Sequence, residues 1–476
     1  MKYTLWQYTD LHLWYRADGT PPPAADQLDY PHCKELIAAG LKRFAETPEV
    51  NALLLTGDLT EGGYPEEHDC MLEMLRRTQN AVAAQGKRII VLTASHDARR
   101  TSDDELRTRY APYGIEGALA VCNGGQAFVV QLAPGLRLLC INDHGNDPPP
   151  PWLPWAIEQV QAAKTAGEII LGATHRPTLP PSPIYPGEIA AWPAVADTLS
   201  RAGLRLMLSG HSHMHSITYK TKDLYMVLTG DDKEPRPLKT EEAAGPLGIG
   251  RSTSGYDADG IAYQCDANIA KQHRRTDIDC TYPYCDVNTG AFTGFPGKFR
   301  QICIADGTAN ITSLDVPYIP AFGALSSVAY LKGLFTALLN RIFDGLVGDY
   351  EVFVQNIRMV GVRPDQARKG RKYYRLGGWF LHHMTLGSLG RLLWCRIPKR
   401  VRKLRLRDAV QPLIRSIFSG NTADCNPETD LGKALLAIAG QMDKLPLIGD
   451  ALADAADLIQ LLVHNPTPDH AAAVAL

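Results

Sequence analysis

Five short clusters of aspartate and histidine in the first half of the chain carry most of the chemistry that the sequence offers. Each follows an apolar run that is typical of a buried strand, and the clusters are Asp10-Leu11-His12, Gly57-Asp58, His96-Asp97, His175 and Gly210-His211-Ser212-His213. Carboxylate and imidazole groups delivered at strand ends by a rigid sheet are the ligands of hydrolytic metal sites. The five clusters together therefore predict one metal centre.

The spacing inside the clusters also favours a metal centre. Side chains alternate along a strand with a period of two, so Asp10 and His12 lie on one face, as do the two histidines of the last cluster. Gly57 allows the backbone to turn sharply toward an ion at Asp58. A carboxylate can bridge two cations, and two ions about 3.5–4 Å apart clamp a phosphate and acidify a bound water. We therefore expect two divalent ions.

Length and composition are those of an ordinary soluble protein, and 476 residues favour two domains. The net charge of −2 gives no general indication of nucleic acid or membrane. The first predicted strand begins almost at the initiator methionine, which leaves no room for a signal peptide, and no apolar run reaches the ~20 residues of a membrane-spanning helix. We expect a cytoplasmic protein with mostly reduced cysteines, although a local disulfide or a metal clip at Cys280 and Cys285 is an alternative.

Strands and helices alternate along the first part of the chain, which predicts an α/β fold with helices outside a parallel sheet. The strands are predicted at residues 3–8, 52–56, 88–93, 127–132, 136–141, 169–173, 205–209, 216–219, 224–228, 300–305 and 309–315. The helices are predicted at residues 32–45, 66–82, 152–165 and 189–202. The hairpins indicate a second, mixed sheet packed on the first.

Two domains are predicted, residues 1–318 and a mainly α-helical domain at residues 319–476. Residues 230–290 lack a periodic pattern and are interpreted as an insertion or long loop near the site. Beyond residue 320, helical spacing of apolar residues covers 325–346, 376–395, 401–418 and 431–462. The role of this helical domain is open: it can cap the site, mediate dimerisation or dock a partner.

The clusters in this order resemble the calcineurin-like metallophosphoesterase family over about residues 1–318. The matching stretches are Thr9-Asp10-Leu11-His12-Leu13, Thr56-Gly57-Asp58-Leu59-Thr60, Ala94-Ser95-His96-Asp97, Thr174-His175-Arg176-Pro177 and Gly210-His211-Ser212-His213. The resemblance implies a four-layer αββα sandwich, in which two β-sheets are flanked by helices and the binuclear site lies at strand ends. This placement agrees with the general rule for open α/β sheets.

The resemblance also implies a role for each residue of the site. The metal ligands would be Asp10, His12 and His213 for the first ion, Asp58 as the bridge, and His175 and His211 for the second ion. Ser95 stands where the family has an asparagine ligand, and because a hydroxyl is the poorer ligand we expect a weaker second ion. His96 would protonate the leaving oxygen, oriented by Asp97, during in-line attack by a metal-held hydroxide. The donor set suits Mn, Fe or Zn.

The form of the first two clusters resembles the phosphodiesterase branch of the family, which includes cyclic-nucleotide phosphodiesterases. The protein Ser/Thr phosphatase branch has Asp-Arg-Gly after its Gly-Asp, where this chain has Glu61-Gly62-Gly63. Pyrophosphatases of lipid precursors and nucleases remain alternatives, so a small-molecule or lipid-linked phosphoester is the expected substrate. Arg176 and His144 are candidate substrate contacts, and surface turn residues are the competing interpretation.

Residues 368–407 are strongly basic and carry interleaved aromatic and aliphatic residues. Such a stretch attracts anionic lipid head groups, and a polyanion such as nucleic acid is an alternative, as is an ordinary solvated helix face. A second hypothesis follows for the whole chain: a metal-binding scaffold with weak activity, whose basic helical half binds a membrane surface or a partner. The expected location is then cytoplasmic but peripheral to the membrane.

Overall fold

The structure is a computed structural model and describes residues 2–23, 27–122, 124–144, 152–179, 181–182, 192–220, 252–256, 262–266, 281–345, 378–442, 456, 459–460, 462–464 and 471–476. The strands in chain order are β1 (Lys2–Tyr8), β2 (Ala52–Thr56), β3 (Arg88–Leu92), β4 (Ala120–Val121), β5 (Ala127–Ala133), β6 (Leu136–Ile141), β7 (Ile169–Thr174), β8 (Leu206–Ser209), β9 (Ser216–Tyr219), β10 (Ser252–Tyr256), β11 (Ala262–Asp266), β12 (Cys285–Asn288), β13 (Lys298–Ala305), β14 (Thr308–Asp315) and β15 (Ala472–Ala475). The α-helices are α1 (Cys33–Glu46), α2 (Pro65–Val82), α3 (Asp103–Tyr110), α4 (Leu153–Thr165), α5 (Trp192–Ala202), α6 (Ser327–Gly345), α7 (Leu386–Leu392), α8 (Leu406–Ser419) and α9 (Asp430–Met442).

Two mixed sheets form the centre of the fold. The first has the strand order β15-β14-β13-β1-β2-β3, and the second has the order β4-β5-β6-β7-β8-β12-β9. In the first sheet β1, β2 and β3 run parallel, and in the second β6, β7 and β8 run parallel. The loops that follow these parallel strands carry the five Asp and His clusters.

The layers are held by three apolar clusters. Leu54 of the first sheet and Leu171 of the second belong to one buried cluster between the sheets. Phe44 and Met71 bring α1 and α2 onto the outer face of the first sheet, while Val160 of α4 joins the cluster that covers the second sheet. Strand β2 is buried along its whole length. Its two faces are both covered, which explains its near-continuous apolar run. The four-layer α/β sandwich is therefore confirmed.

Six elements were not predicted: α3, β4, β10, β11, β12 and β15. For three of them the physical reason differs. Helix α3 is mostly polar and buries only Leu106 and Tyr110, so its apolar spacing is weak. Strand β12 is fully buried between β8 and β9, so the predicted insertion ends before Cys285. Strand β15 is rich in alanine, a residue depleted in strands, and exists because β14 offers it an edge. Some predictions fall outside the described residues: the strand at residues 224–228, the pairing of Cys280, and the part of the basic stretch at residues 368–377.

The carboxy-terminal helices pack directly against the first part of the chain. Phe335 of α6 stacks on Phe295 with ring centroids 4.8 Å apart, and Met214 is buried in the same cluster as α8 and α9. The backbone N–H of His215 donates to the carbonyl of Phe418, at 2.8 Å. A domain boundary near residue 319 stays a prediction. None of the helices described here has the length and apolar character required to cross a membrane.

Replacing Gly40 with alanine tests how tightly α1 packs on the first sheet. A Cβ there would lie 2.4 Å from Cζ of Phe292, a ring that is buried against Tyr8. Alanine favours a helix interior over glycine by about 1 kcal/mol, but overpacking a core contact costs about 1–3 kcal/mol. We expect Gly40→Ala to lower the free energy of unfolding by about 1 kcal/mol, measured by urea denaturation.

Gly333 in α6 is the matched control, because no described atom outside its own helix backbone lies within 4 Å of where its Cβ would be. Gly333→Ala should therefore raise the free energy of unfolding, by up to about 1 kcal/mol. If both substitutions raise it, the contact between Gly40 and Phe292 does not limit the packing.

Candidate metal centre

Five loops at the carboxyl ends of parallel strands meet between the two sheets. The loops after β1, β2 and β3 carry Asp10, Asp58 and His96, and β7 and β8 end at His175 and the last cluster. The carboxyl ends of parallel strands lie on one edge of a sheet, which is where open α/β sheets bind ligands. The sequence clusters therefore converge as predicted.

The backbone of these loops adopts a conformation that L residues rarely take. Positive φ angles of 42–70° occur at five of the site residues, Asp10, His12, Asp58, His211 and His213. Each such residue costs on the order of 1–3 kcal/mol and persists only where its surroundings hold it. Two backbone bonds hold the first pair of loops together, from Asp10 N to Gly57 O at 3.1 Å and from His12 N to Asp58 O at 3.0 Å.

Gly57 is required for this arrangement. Its φ is +92°, and a Cβ there would lie 2.6 Å from Cβ of Ala94 and 2.8 Å from Nδ1 of His175. The sharp turn that the sequence predicted at Gly57 is confirmed, and the packing shows why no larger residue fits.

The first group of candidate ligands is Asp10, His12 and His213, whose donor atoms all lie within 4.8 Å of one another. The Oδ1 atom of Asp10 lies 3.3 Å from Nε2 of His213 and 3.7 Å from Nε2 of His12. The two imidazole Nε2 atoms are 3.0 Å apart. These are the three residues assigned to the first ion.

The second group is Asp58, His175 and His211, with the same limit of 4.8 Å. Nε2 of His175 lies 3.1 Å from Oδ2 of Asp58 and 3.2 Å from Nδ1 of His211. The groups are adjacent, because Asp58 Oδ2 is also 3.9 Å from Nε2 of His12. Asp58 therefore lies where a bridging carboxylate is expected.

The donor set fits divalent cations. Oδ1 of Asp10 is buried and has no hydrogen-bond partner among the residues described, whereas its Oδ2 accepts from Thr9 Oγ1 and from the His211 N–H. Nδ1 of His175 donates to the carbonyl of Thr56 at 2.8 Å, which leaves its Nε2 as a lone-pair donor. Buried carboxylate and imidazole donors that face one another in this way fit a divalent cation.

Burial and ion pairing act in opposite directions on the pKa values of the site. Burial would raise the pKa of the Asp10 carboxyl, but the charge of His175 and two other imidazoles hold it well below its usual range. Burial lowers the pKa of His12, yet the carboxylates of Asp10 and Glu61 raise it to about 10. The pKa of His175 is raised against burial to about 9, chiefly by Asp58. Without a cation, the imidazoles therefore carry the positive charge that compensates the buried carboxylates.

Glu61 is a site residue that the sequence reasoning missed. Its Oε2 lies 2.8 Å from Nδ1 of His12 and 3.3 Å from Nδ1 of His96, and the three form a further group of possible ligands. Neighbouring imidazoles hold the pKa of Glu61 below its usual range against the effect of burial. A carboxylate behind a ligating histidine fixes its ring and raises its basicity. The available signal was an acid three residues after Asp58, on the same loop.

Asp97 does not contact the His96 ring directly, and its predicted role stays a prediction. One of its carboxylate oxygens accepts from the N–H and hydroxyl of Thr60, both at 3.0 Å, and the other accepts from the Ala94 N–H at 2.9 Å. Asp97 therefore holds the loop that carries His96. The imidazole of His96 is contacted instead by Glu61 and by Arg99, whose Nη2 lies 2.8 Å from its Nε2.

Three further predicted residues lie beside the centre, and their roles stay predictions. Ser95 is half-buried in the turn before His96. Arg176 is buried and forms two 2.5 Å contacts to the carboxylate of Asp143. His144 contacts the Thr93 hydroxyl at 2.8 Å through Nε2 and an exposed carboxylate through Nδ1. Both proposed substrate contacts are thus engaged with protein groups.

Comparison with known proteins adds an independent finding. The model of the calcineurin-like phosphoesterase family matches residues 3–215. A dimetal phosphatase from Danio rerio is similar at 11% identity and a TM-score of 0.40, covering 67% of this chain and 99% of that chain. A predicted phosphoesterase from Streptococcus pneumoniae is similar at 10% identity and a TM-score of 0.23, covering 66% of this chain and 90% of that chain. No curated protein matches the chain.

The family match spans every residue of the two ligand groups, from Asp10 to His213. It ends two residues after the last cluster, so the carboxy-terminal helices lie outside it. A dinuclear metal centre is the property that this family shares, and the two adjacent groups have the Asp and His composition that it requires. Residues 3–215, which carry all five clusters, thus match the calcineurin-like phosphoesterase family.

Proposed function

We propose that this chain hydrolyses phosphodiesters, with a preference for substrates of the cyclic-nucleotide kind. The main support for the proposal is that six predicted ligands converge into two adjacent groups. The Asp58 carboxylate lies close to histidines of both groups. The groups lie at strand ends, next to the half-buried His96. The proposal therefore combines two cation sites with a proton donor at their edge.

The residues that would hold the two ions are Asp10, His12 and His213 for one, and Asp58, His175 and His211 for the other. Bound divalent cations would neutralise phosphate oxygens and lower the pKa of a water molecule, and Mn, Fe and Zn all suit the donors. The protein supplies the geometry, because the strained loops and Gly57 hold the donors close together before any ligand arrives.

His96 and Arg99 would act on the substrate at the edge of the centre. Nδ1 of His96 donates to the Glu61 carbonyl at 3.0 Å, which aims Nε2 toward the metal groups, 3.9 Å from Asp58 Oδ2. Arg99 now donates to that Nε2, so a phosphate must draw the guanidinium away before His96 can hold a proton there. His96 then protonates the departing alkoxide.

Glu61 supports a diester rather than a monoester as the substrate. Its carboxylate lies 3.3 Å from the His96 ring, and its lowered pKa keeps it ionised. A phosphate monoester carries a second negative charge that a diester lacks, so repulsion from Glu61 disfavours the monoester more strongly. The negative charge of Glu61, in the stretch Glu61-Gly62-Gly63, would thus disfavour the binding of monoesters.

Replacing His96 tests the proton donor. With Mn²⁺ and cyclic AMP as substrate, we expect His96→Ala to lower kcat by about 10²–10⁴, because the ribose alkoxide needs a proton to leave. The loss should be smaller with bis-p-nitrophenyl phosphate, whose leaving group departs as a stable anion. His383→Ala, an exposed histidine of the helical part, is the control and should keep full activity.

The same assay separates the proposal from the scaffold hypothesis. Bis-p-nitrophenyl phosphate should be hydrolysed faster than p-nitrophenyl phosphate. Faster monoester hydrolysis would overturn the diester preference, and no turnover with Mn²⁺, Fe²⁺ or Zn²⁺ would support the metal-binding scaffold instead.

Replacing Ser95 with asparagine tests the inequality of the two ions. Because a serine hydroxyl stands where the family pattern has an amide oxygen, Mn²⁺ titration of the native chain should resolve one tight and one weaker site. Ser95→Asn should tighten the second site and leave the first unchanged, so the first site serves as the internal control. Two equally tight sites in the native chain, measured by calorimetry, would contradict this expectation.

Metal binding should release protons, because a cation and a proton compete for the same imidazole nitrogens. The pKa values of about 10 for His12 and about 9 for His175 mean that both carry a proton at neutral pH. Affinity for Mn²⁺ should therefore rise with pH between about 6 and 8, by up to about tenfold per pH unit for each proton displaced. Calorimetry in two buffers of different ionisation enthalpy counts the protons.

Glu61→Gln should reduce that proton release, because it removes a charge that raises the pKa of His12. Glu66→Gln is the matched control, since Glu66 pairs with Arg16 at 2.7 Å on the same side of the fold and does not contact the ligands described above. Equal proton release in the two variants would show that Glu61 does not set the protonation of His12.

A further inference from the structure

Trp394 is unusually exposed to solvent for a large apolar residue. It is 94% exposed, whereas Trp379, another exposed tryptophan, is 51% exposed. Leu392, two residues before it, is 57% exposed. Folded proteins scatter single apolar residues over their surfaces, but an almost fully exposed indole beside an exposed leucine forms a small apolar patch.

The backbone at Trp394 adds a second observation. Helix α7 ends in a Schellman motif, in which Trp394 N–H donates to Arg391 O at 3.3 Å and Cys395 N–H donates to Gly390 O at 2.8 Å. Trp394 takes the left-handed position of that motif, with φ +55°, where glycine is the usual residue. A bulky side chain at this position strains the backbone and, being exposed, regains nothing by packing in the free protein.

The loop that carries Trp394 is firmly anchored to the rest of the protein. Leu393, Ile397 and Val401 are buried in the cluster that α8 and α9 also enter. Leu386 N–H donates to Leu404 O at 2.8 Å, which ties the loop to α7. Every fourth residue from Leu393 to Val401 is therefore buried, and Trp394 projects from a fixed base.

The chain segment that carries Leu392 and Trp394 has charges of one sign only. All the acidic and basic residues between 391 and 407 are Lys or Arg. Those that are exposed are Arg391, Arg396, Lys399, Arg400, Arg402, Lys403 and Arg405. The Asp430 carboxylate lies 4.0 Å from Nε of Arg400, and this long contact neutralises little of the positive charge of the segment.

We propose that residues 391–405, the basic tip, dock this protein on an anionic lipid bilayer. Trp394 and Leu392 enter the boundary between head groups and acyl chains, where tryptophan is enriched. The surrounding Lys and Arg side chains contact the anionic head groups. An interfacial anchor of this kind needs both an apolar insertion and a basic surface, and the tip presents both.

A bilayer fits the tip better than a nucleic acid does. Single strands bind in grooves where bases stack on aromatic rings. The tip instead projects outward, and Leu392 beside Trp394 offers no ring to a base. An aliphatic residue next to an indole gains from entering hydrocarbon, so lipid accounts for both exposed residues.

The docking surface is connected to the candidate metal centre through one helix. α8 begins at Leu406, directly after the tip, and the Phe418 carbonyl near its end accepts from His215, two residues after His213. With 1.5 Å per residue, α8 spans about 20 Å. Docking through the tip would therefore hold the metal centre at a short, fixed distance from the lipid surface, whether or not the chain is catalytically active.

Co-sedimentation with vesicles tests the proposal on the full-length chain. We expect pelleting with phosphatidylcholine vesicles that contain 30% phosphatidylglycerol and none with phosphatidylcholine alone. Trp394→Gly should lower the partition coefficient about tenfold while raising the melting temperature, because glycine relieves the left-handed strain. Arg396→Gln with Lys399→Gln should lower it about fivefold for each charge removed. Tyr318→Ala, at an exposed aromatic residue (55%) outside the tip, is the control and should bind as the native chain does.

Three outcomes would overturn the proposal. The first is equal binding to neutral and anionic vesicles. The second is unchanged binding of Trp394→Gly. The third is binding of a labelled single-stranded oligonucleotide, measured by anisotropy, without binding to vesicles. Because none of these measurements uses phosphoester hydrolysis, failure of the proposed activity leaves the test intact.

Discussion

The balance of charge around the buried carboxylate of Asp10 is the interaction on which the site depends. One of its oxygens is buried without a hydrogen-bond partner in the described part of the chain, and the surrounding groups are imidazoles that can compensate it only when protonated. A buried carboxylate in that position costs much of the fold's stability unless a positive charge faces it. Protons supply that charge at neutral pH, and divalent cations supply it with ligand geometry. The same atoms thus explain the raised pKa of His12 and the expected coupling of metal binding to pH.

Strain in the loops follows from that constraint. Five ligands adopt left-handed backbone conformations, and backbone bonds between the loops of Asp10 and Asp58 hold part of that strain. The last cluster is supported from another direction, since Met214 is buried among carboxy-terminal helices and His215 donates to Phe418. The helical half is therefore part of what positions His213, although the family match ends at residue 215.

The edge of the centre combines opposite charges. Glu61 supports His12 from behind and simultaneously faces His96, while Arg99 contacts both Glu61 and His96. Glu61 gives this edge a negative charge that a monoanionic diester tolerates better than a dianionic monoester. Under the proposed function, Glu61 would influence both substrate class and metal affinity.

The sequence by itself determined the layered fold and which Asp and His residues follow its strands, because both depend on local patterns. Apolar runs define β1, β2, β3, β7 and β8, and Asp or His follows each run. The tertiary structure alone decided which neighbours those residues have. Asp97 contacts Thr60 rather than the ring of His96, and Glu61 lies behind His12, since these contacts depend on how loops from different strands pack. Strand β15 and the exposure of Trp394 were equally beyond the sequence. An edge strand of alanines requires a partner strand, and burial is a property of the whole assembly of elements rather than of any segment.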